Sequence, residues 1–485
     1  MIFNSITYLL FLIIFATIYW QFNNTKIRQI LVFIASLIFY GFWKITFIPV
    51  MLFSVVLDYF VALKMQASPS LFVKKKFLVL SLVGNLGLLF YFKYLIFFSN
   101  NVIGLINIFG FSADPILFKI ILPLGISFYT FQTISYSVDV FRGHKRAEKN
   151  FLLYASYVTF FPQLIAGPIL RAKEVIYQLN SSRRANSEDL YIGIKRIIYG
   201  LFLKVILADN IAPLVDAGFN SSIDQLSAID VWTLSFLFGF QIYFDFSAYS
   251  HIAIGSARLL GIKFPENFNF PYIASSPRDF WKRWHISLSS WIRDYLYLPL
   301  TGTKVIEPGS SEGGLENAVS DEKKNKALFL TWAIMGLWHG ASWTFVLWGI
   351  YHAFWIFIFR TITKFNIFKK FFSSALRGFL VTLPIMMLGW IPFRAQSLDD
   401  TFLMWSKLFY ISEYSYLSMR ENSYLIAALI TSGFLISFIV YNSNNIFFNT
   451  KKFAGQFLEG LIFCIVIPLI LIFLRPIAQF IYFQF

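Results

Sequence analysis

The chain has one cysteine, five histidines and few charges, with only 14% of its 485 residues Asp, Glu, Lys or Arg. A lone cysteine, Cys464, excludes any disulfide within the chain, and its place in an apolar run argues against thiol catalysis. H-E-x-x-H zinc spacing, a G-x-S-x-G elbow, a phosphate-binding Walker loop and a G-x-G-x-x-G fingerprint are all missing. The expectation is therefore no metal site, no tightly bound cofactor and no nucleotide-driven pump. Long polar linkers are lacking too, so residues 1–485 read as a single membrane-embedded domain.

What is abundant is apolar and aromatic. Hydrophobic residues make up 57% and aromatics 20%, and mean hydropathy is +0.64. Such a chain is all-α and polytopic in a lipid bilayer. The first run, Met1 to Trp20, lacks a basic leader, so it reads as a retained helix rather than a signal peptide. The net charge of +16 does not indicate nucleic acid. Its basic residues cluster between apolar runs, at Lys64 with Lys74 to Lys76, Arg142 to Lys149, Arg171 to Arg196, Lys323 to Lys326, Arg360 to Arg377, and Lys451-Lys452. Placing each cluster in the cytoplasm follows the positive-inside rule.

Runs of spanning length fall near 2–20, 29–46, 47–63, 77–98, 119–139, 194–216, 229–256, 327–344, 345–360, 376–396, 423–442 and 457–480. The alternation closes with an extracytoplasmic N-terminus if 151–170 and 277–300 do not cross. The first of these segments is broken by Pro162 and by Gly167-Pro168 and reads as re-entrant or interfacial, with Gln163 satisfying freed backbone groups or lining a cavity. The second opens on Ser276, Pro277 and Asp279, a helix start signal. A continuous helix there puts Trp281, Trp284, His285, Leu288, Trp291, Ile292 and Tyr295 on one broad face, which suits a helix partly in the interface. The polar loop 301–326 is expected to be a cytoplasmic connection without chemistry, and Asp399 to Glu421 falls on the extracytoplasmic side, against the rim or a partner.

Ionisable groups at membrane depth mark function by default. His339 lies about a dozen residues into its span, about 18 Å from the cytoplasmic end, with Gly336 and Gly340 in small-xxx-small spacing. Desolvation favours its neutral form, which suits a general base; the plain alternative is packing beside Trp338 and Trp343. His285 is the second candidate. His352 reads as a packing residue, His144 as solvated, and His251, near Asp245, Ser247 and Tyr249, as part of a polar network or tunnel wall.

Several runs together resemble the membrane-bound O-acyltransferase (MBOAT) family, nearest its bacterial alginate O-acetyltransferase type. They are Leu122 to Gln132, Phe160 to Pro168, Tyr243 to Ser247, Pro265-Glu266-Asn267-Phe268-Asn269, the His285 segment and Trp338-His339-Gly340. The resemblance implies a bundle of about 11–12 transmembrane helices with re-entrant segments around a central tunnel. Acetyl-CoA enters from the cytoplasm, and the acetyl group passes to an extracytoplasmic polysaccharide such as alginate, cellulose, another exopolysaccharide or peptidoglycan, with an extracytoplasmic acetyltransferase partner. In that picture His339 is the essential histidine and His285 its companion, while Asp245, Trp284, Trp338, Asn267 and Gln163 line or support the tunnel. A multi-pass protein of the bacterial plasma (inner) membrane follows. Two departures stand out: His251 replaces the aspartate usual after the Tyr-Ser pair, and the loop after Leu300 lacks a Gly-Gly-Asn-Arg type of sequence. D-alanyl transfer to teichoic acid is the alternative within this chemistry, and a polysaccharide or lipid transporter the alternative outside it.

Overall fold

A computed structural model describes residues 1–303, 305, 319–442 and 453–474. Among these residues there are helices and turns but no strand, and the chain is an all-helical polytopic membrane protein. Six helical stretches among the described residues are long and apolar enough to cross a membrane: Thr25–Ala67, Leu71–Ile108, Ser187–Phe219, Trp343–Ile362, Ala375–Arg394 and Glu421–Val440. Thr25–Ala67, at 43 residues, holds two of the expected crossings. Ile6–Gln21 and Phe457–Phe473 are apolar but shorter. Most of the 301–326 loop, at 304 and 306–318, lies outside the described residues, as do Lys451-Lys452 and the end of the 457–480 run.

The chain forms two compact units, each assembled from three separate stretches. One comprises Met1–Ile197, Ile252–Glu266 and Ser290–Val319; the other comprises Ile198–His251, Asn267–Ser289 and Ser320–Phe485. Composition could not reveal this division, because it falls inside the continuous helices Ser187–Leu201 and Ala228–Leu259.

In the first unit, helices Ile48–Ala67, Leu71–Leu89 and Ile126–Arg142 pack around Asp58. Its buried carboxylate accepts hydrogen bonds from the hydroxyls of Ser81 and Ser137 and from Asn85 Nδ2. Unpaired, a buried carboxylate would cost several kcal/mol, so the three donors fix which faces of these helices meet. Gly125 starts the third helix at φ 72°, and a Cβ there would stand 2.2 Å from the Leu164 carbonyl oxygen. Only glycine serves this position, which docks the Leu122 to Gln132 run onto the Phe160 to Pro168 run.

Residues 151–170 are broken as expected, into Phe151–Thr159 and Phe161–Leu164. They are buried within the unit, with Tyr154, Ala155, Phe160 and Phe161 wholly enclosed. At the break, the Phe161 N–H donates to Ser36 Oγ (3.1 Å) instead of back into its helix. Gln163 Nε2 takes the carbonyl thus released, that of Tyr157, at 2.6 Å.

The second unit contains the helical hairpin Asp321–His339 and Trp343–Ile362. A Cβ on Gly336 would sit 2.2 Å from the Phe345 carbonyl oxygen, and one on Gly349 would sit 2.1 Å from that of Trp332. Backbone therefore meets backbone across the hairpin, as the small-residue spacing implies. At its open end Lys364 pairs with Asp321 (2.6 Å) and Arg360 donates to Asn325. The turn occupies Gly340 to Ser342, so His339 ends its helix instead of lying inside a 327–344 span. Elsewhere in the unit, the segment from Asp399 to Glu421 packs on the start of Ala228–Leu259, where Asp230 Oδ2 accepts from the Ser418 N–H (3.1 Å).

Candidate active site

The expected continuous helix over 277–300 does not form. Ser276 caps it as predicted, accepting from the Asp279 N–H, but Pro277–Arg283 ends there and a second helix begins at Ile286. Trp284 is extended and His285 has φ 41°. The face proposed for Trp281 through Tyr295 is thus divided at His285, and both Trp284 and His285 are enclosed by protein, each being 1% exposed. A left-handed conformation costs a non-glycine residue about 1–2 kcal/mol, so neighbouring structure must impose it.

Asn267 and Asn269 impose it. The Asn267 carbonyl accepts from the Ile286 N–H (2.9 Å) and the Asn269 N–H donates to the Arg283 carbonyl (2.9 Å), clamping one segment to the other on both sides of the kink. Asn267 Oδ1 accepts from the Ser287 N–H (3.3 Å) and Oγ–H (2.8 Å) and lies 3.0 Å from His285 Nδ1. Because a backbone N–H can only donate, the amide oxygen must face that way, and Nδ2 is left to donate to Ser250 Oγ (3.1 Å). His285 Nδ1 therefore carries its proton and donates to Asn267. Nε2 is left with a lone pair, buried and without a partner among the described residues.

Burial also lowers the His285 pKa from 6.5 to about 3, because the imidazolium would lose its hydration. The ring is neutral at physiological pH. Since the unfolded histidine binds a proton that the folded one does not, the associated stability is intact above about pH 6.5. It is lost progressively as pH falls toward 3.

Phe246 stands edge-on to the imidazole, at 4.6 Å between centroids and 85°, and Phe268, 6.5 Å from the imidazole, meets Trp284 at 5.1 Å. Trp284 stacks on Phe280 at 5.6 Å and continues to Trp390 at 4.8 Å. Trp390 lies 6.2 Å from Trp348, which lies 4.8 Å from His339. Trp338 and Phe393 also flank His339, at 4.9 and 5.4 Å. Both histidines thus belong to one aromatic cluster of the second unit, linked ring to ring. An environment of this kind excludes bulk water.

Two further features were not read from the sequence. His352, expected to pack, does so against Trp281 and Trp348 (both 5.0 Å), yet neither of its ring nitrogens has a partner among the described residues. Lys204 sits in a π-helical turn, Phe202–Ala208, and pairs with both Asp209 and Asp245 at 2.8 Å. The signal for that pair was one lysine in an apolar run. Asp245 consequently points to Lys204, while the next residue on its helix, Phe246, faces His285. His251 packs edge-on against Tyr199 (4.8 Å), and Gln163 belongs to the other unit.

Residues 29–393 match the membrane-bound O-acyltransferase family. The chain belongs to this family. It is an O-acyltransferase, and the tightly spaced hairpin, the kinked histidine and its asparagine clamp all lie within the matched region. A probable alginate O-acetylase AlgI of Azotobacter vinelandii is 35% identical over 95% of this chain and 87% of its own. A peptidoglycan O-acetyltransferase of Helicobacter pylori is 36% identical over 78% of this chain and 73% of its own. A teichoic acid D-alanyltransferase of Bacillus subtilis is 29% identical over 51% of this chain and 60% of its own.

Proposed function

We propose that this O-acyltransferase moves an acetyl group from acetyl-CoA on the cytoplasmic side of a bacterial plasma membrane to a hydroxyl of an extracytoplasmic polysaccharide, directly or through an extracytoplasmic acetyltransferase partner. The supporting observation is the extent of the likeness. It runs over 78–95% of the chain for relatives named as O-acetylating enzymes and over about half for one named as D-alanylating.

In the reaction, the acceptor oxygen attacks the thioester carbonyl, a C–O bond forms, the C–S bond breaks and CoA leaves. His339, at the hairpin tip, takes the hydroxyl proton and returns it to the leaving sulfur. General-base assistance of this kind is worth about 10²–10⁴-fold. His285 accepts a hydrogen bond at Nε2 from an N–H or O–H of a reactant, with Asn267 fixing its tautomer, and thereby positions that reactant. Trp284 and Trp338 keep water from the thioester, and Asp245 supports the site through Lys204.

The test is release and transfer of label from radiolabelled acetyl-CoA by purified protein, using oligosaccharides of alginate and peptidoglycan type as acceptors. His339→Ala should lower transfer about 10²-fold or more while the protein stays folded. Wild-type transfer of D-alanine from a carrier protein without any acetyl transfer would replace this reading with the D-alanyl one.

A further inference from the structure

The first unit contains a cavity of about 540 Å³ that plays no part in the histidine chemistry. This volume suits a small ligand, whose sites run about 300–1,000 Å³. Lys74, from the helix Leu71–Leu89, and Lys145, Arg146 and Lys149, from the loop after Ile126–Arg142, line it together with one carboxylate, Glu148. Four positive charges against one negative leave the lining at +3. Glu148 is engaged locally, its Oε1 accepting from the Asn150 N–H at 2.9 Å. None of the four cations has a carboxylate partner among the described residues. By contrast, Arg171 pairs with Asp294, Arg258 with Asp189, and Lys204 with Asp245. Like charges around one cavity repel one another until an anion enters, so the lining selects for negative charge.

The cavity's position in the unit narrows which anion it suits. Met65 and Gln66, also in its lining, end the membrane-crossing stretch Thr25–Ala67, and Lys74 lies in the first turn of the next, Leu71–Ile108. The cavity therefore lies where two crossing stretches reach the water, at the level of lipid headgroups and on the side that the basic clusters assign to the cytoplasm. The same two helices expose Phe60, Phe72 and Val79, an apolar surface on which acyl chains can lie. The loop carrying three of the charges is tied down by its own unit. Gln66 Oε1 accepts from the Ala147 N–H (2.5 Å), Tyr136 Oη from the Glu148 N–H (2.8 Å), and Tyr59 Oη–H donates to the Lys149 carbonyl (2.6 Å). A backbone held in this way loses little freedom when a headgroup binds.

We infer that this cavity binds the headgroup of an anionic phospholipid of the phosphatidylglycerol class, with the phosphate held among Lys74, Lys145, Arg146 and Lys149. The site is thus a lipid-recognition site separate from the acyl-transfer chemistry. A soluble phosphate ester offers the same anion without the acyl chains, so the test separates the two sources.

The experiment uses full-length protein in a neutral detergent, titrated with phosphatidylglycerol, phosphatidylcholine or glycerol 3-phosphate. Bound lipid is counted by native mass spectrometry, and the thermal transition is followed in parallel, because a ligand of the folded state raises it by mass action. Wild-type protein should bind phosphatidylglycerol in preference to phosphatidylcholine and melt higher with it. Lys145→Gln/Arg146→Gln should weaken phosphatidylglycerol binding about tenfold or more, and Lys74→Gln, on the other stretch, should weaken it by a smaller factor. Lys369→Gln/Lys370→Gln removes the same charge from an exposed helix of the second unit and should bind like the wild type. Wild-type melting in phosphatidylcholine certifies the fold of each variant, and Lys149→Gln, at an exposed position, takes the place of any that melts early. Equal binding of the two lipids by the wild type overturns the inference. So does equal loss in the cavity variants and the second-unit variant, which would show diffuse attraction in place of a site. If glycerol 3-phosphate binds as tightly as phosphatidylglycerol and is lost in the same variants, the anion is a soluble one and the lipid assignment falls.

Discussion

At the scale of the residue, the decisive arrangement is Asn267 with His285. One asparagine oxygen meets a backbone N–H, a hydroxyl and the imidazole Nδ1, so that a single side chain sets the backbone kink and the tautomer together. Asn267→Ala should lower kcat by about 10²-fold with a smaller effect on KM, because the tautomer that presents the Nε2 lone pair is no longer enforced. Asn267→Asp, which keeps an acceptor facing Nδ1, should restore most of the rate. A stopped assay comparing kcat and KM for the two variants decides this, and equal loss in both variants would point to a purely structural asparagine. Of this arrangement the sequence offered His285 and Asn267 as candidates 18 positions apart. It could not show the bond between them, because the bond exists only once the chain reverses at residues 267–286.

At the scale of the element, the placement of His339 depends on how closely two helices approach. Gly336 and Gly349 let carbonyl oxygens come within about 2 Å of where a Cβ would stand. Gly336→Val has no flexible side chain to displace, only the Phe345 backbone. We expect it to destabilise the protein by at least the 1–3 kcal/mol typical of overpacking, lowering the thermal transition in detergent and moving His339 away from Trp348. Tryptophan fluorescence and activity should change together, and a variant with wild-type melting would refute the close packing. The spacing of Gly336 and Gly340 was legible in the sequence, whereas the approach at Gly349 was not. Nor was the turn at Gly340 to Ser342, because a run of apolar and small residues continues through it and hydropathy does not register a reversal of direction.

At the scale of the whole molecule, the basic clusters assign sides. Cys464 is the only native thiol and is exposed, so a Cys464→Ser background supports single-cysteine labelling. Lys149→Cys should react with a membrane-impermeant maleimide only after the cytoplasmic face is opened, whereas Asp399→Cys should react in intact spheroplasts. Both reacting from the same side would break the topology. Asp399, two residues after the cap Ser397, begins the segment that packs on Asp230, so substitution at this exposed position should leave the fold intact.

The sequence by itself determined the solvent, the helical class and the family. These follow from quantities that are local or additive, namely apolar run length, the sign of loop charge, and short motifs whose order survives without coordinates. Tertiary structure decided the rest. It divided the chain inside continuous helices, split the 277–300 helix at His285, and turned Asp245 toward Lys204. Each of these outcomes depends on where a polar atom finds its partner after burial, and in an apolar environment an unmet hydrogen bond or charge costs more than a local preference can offset.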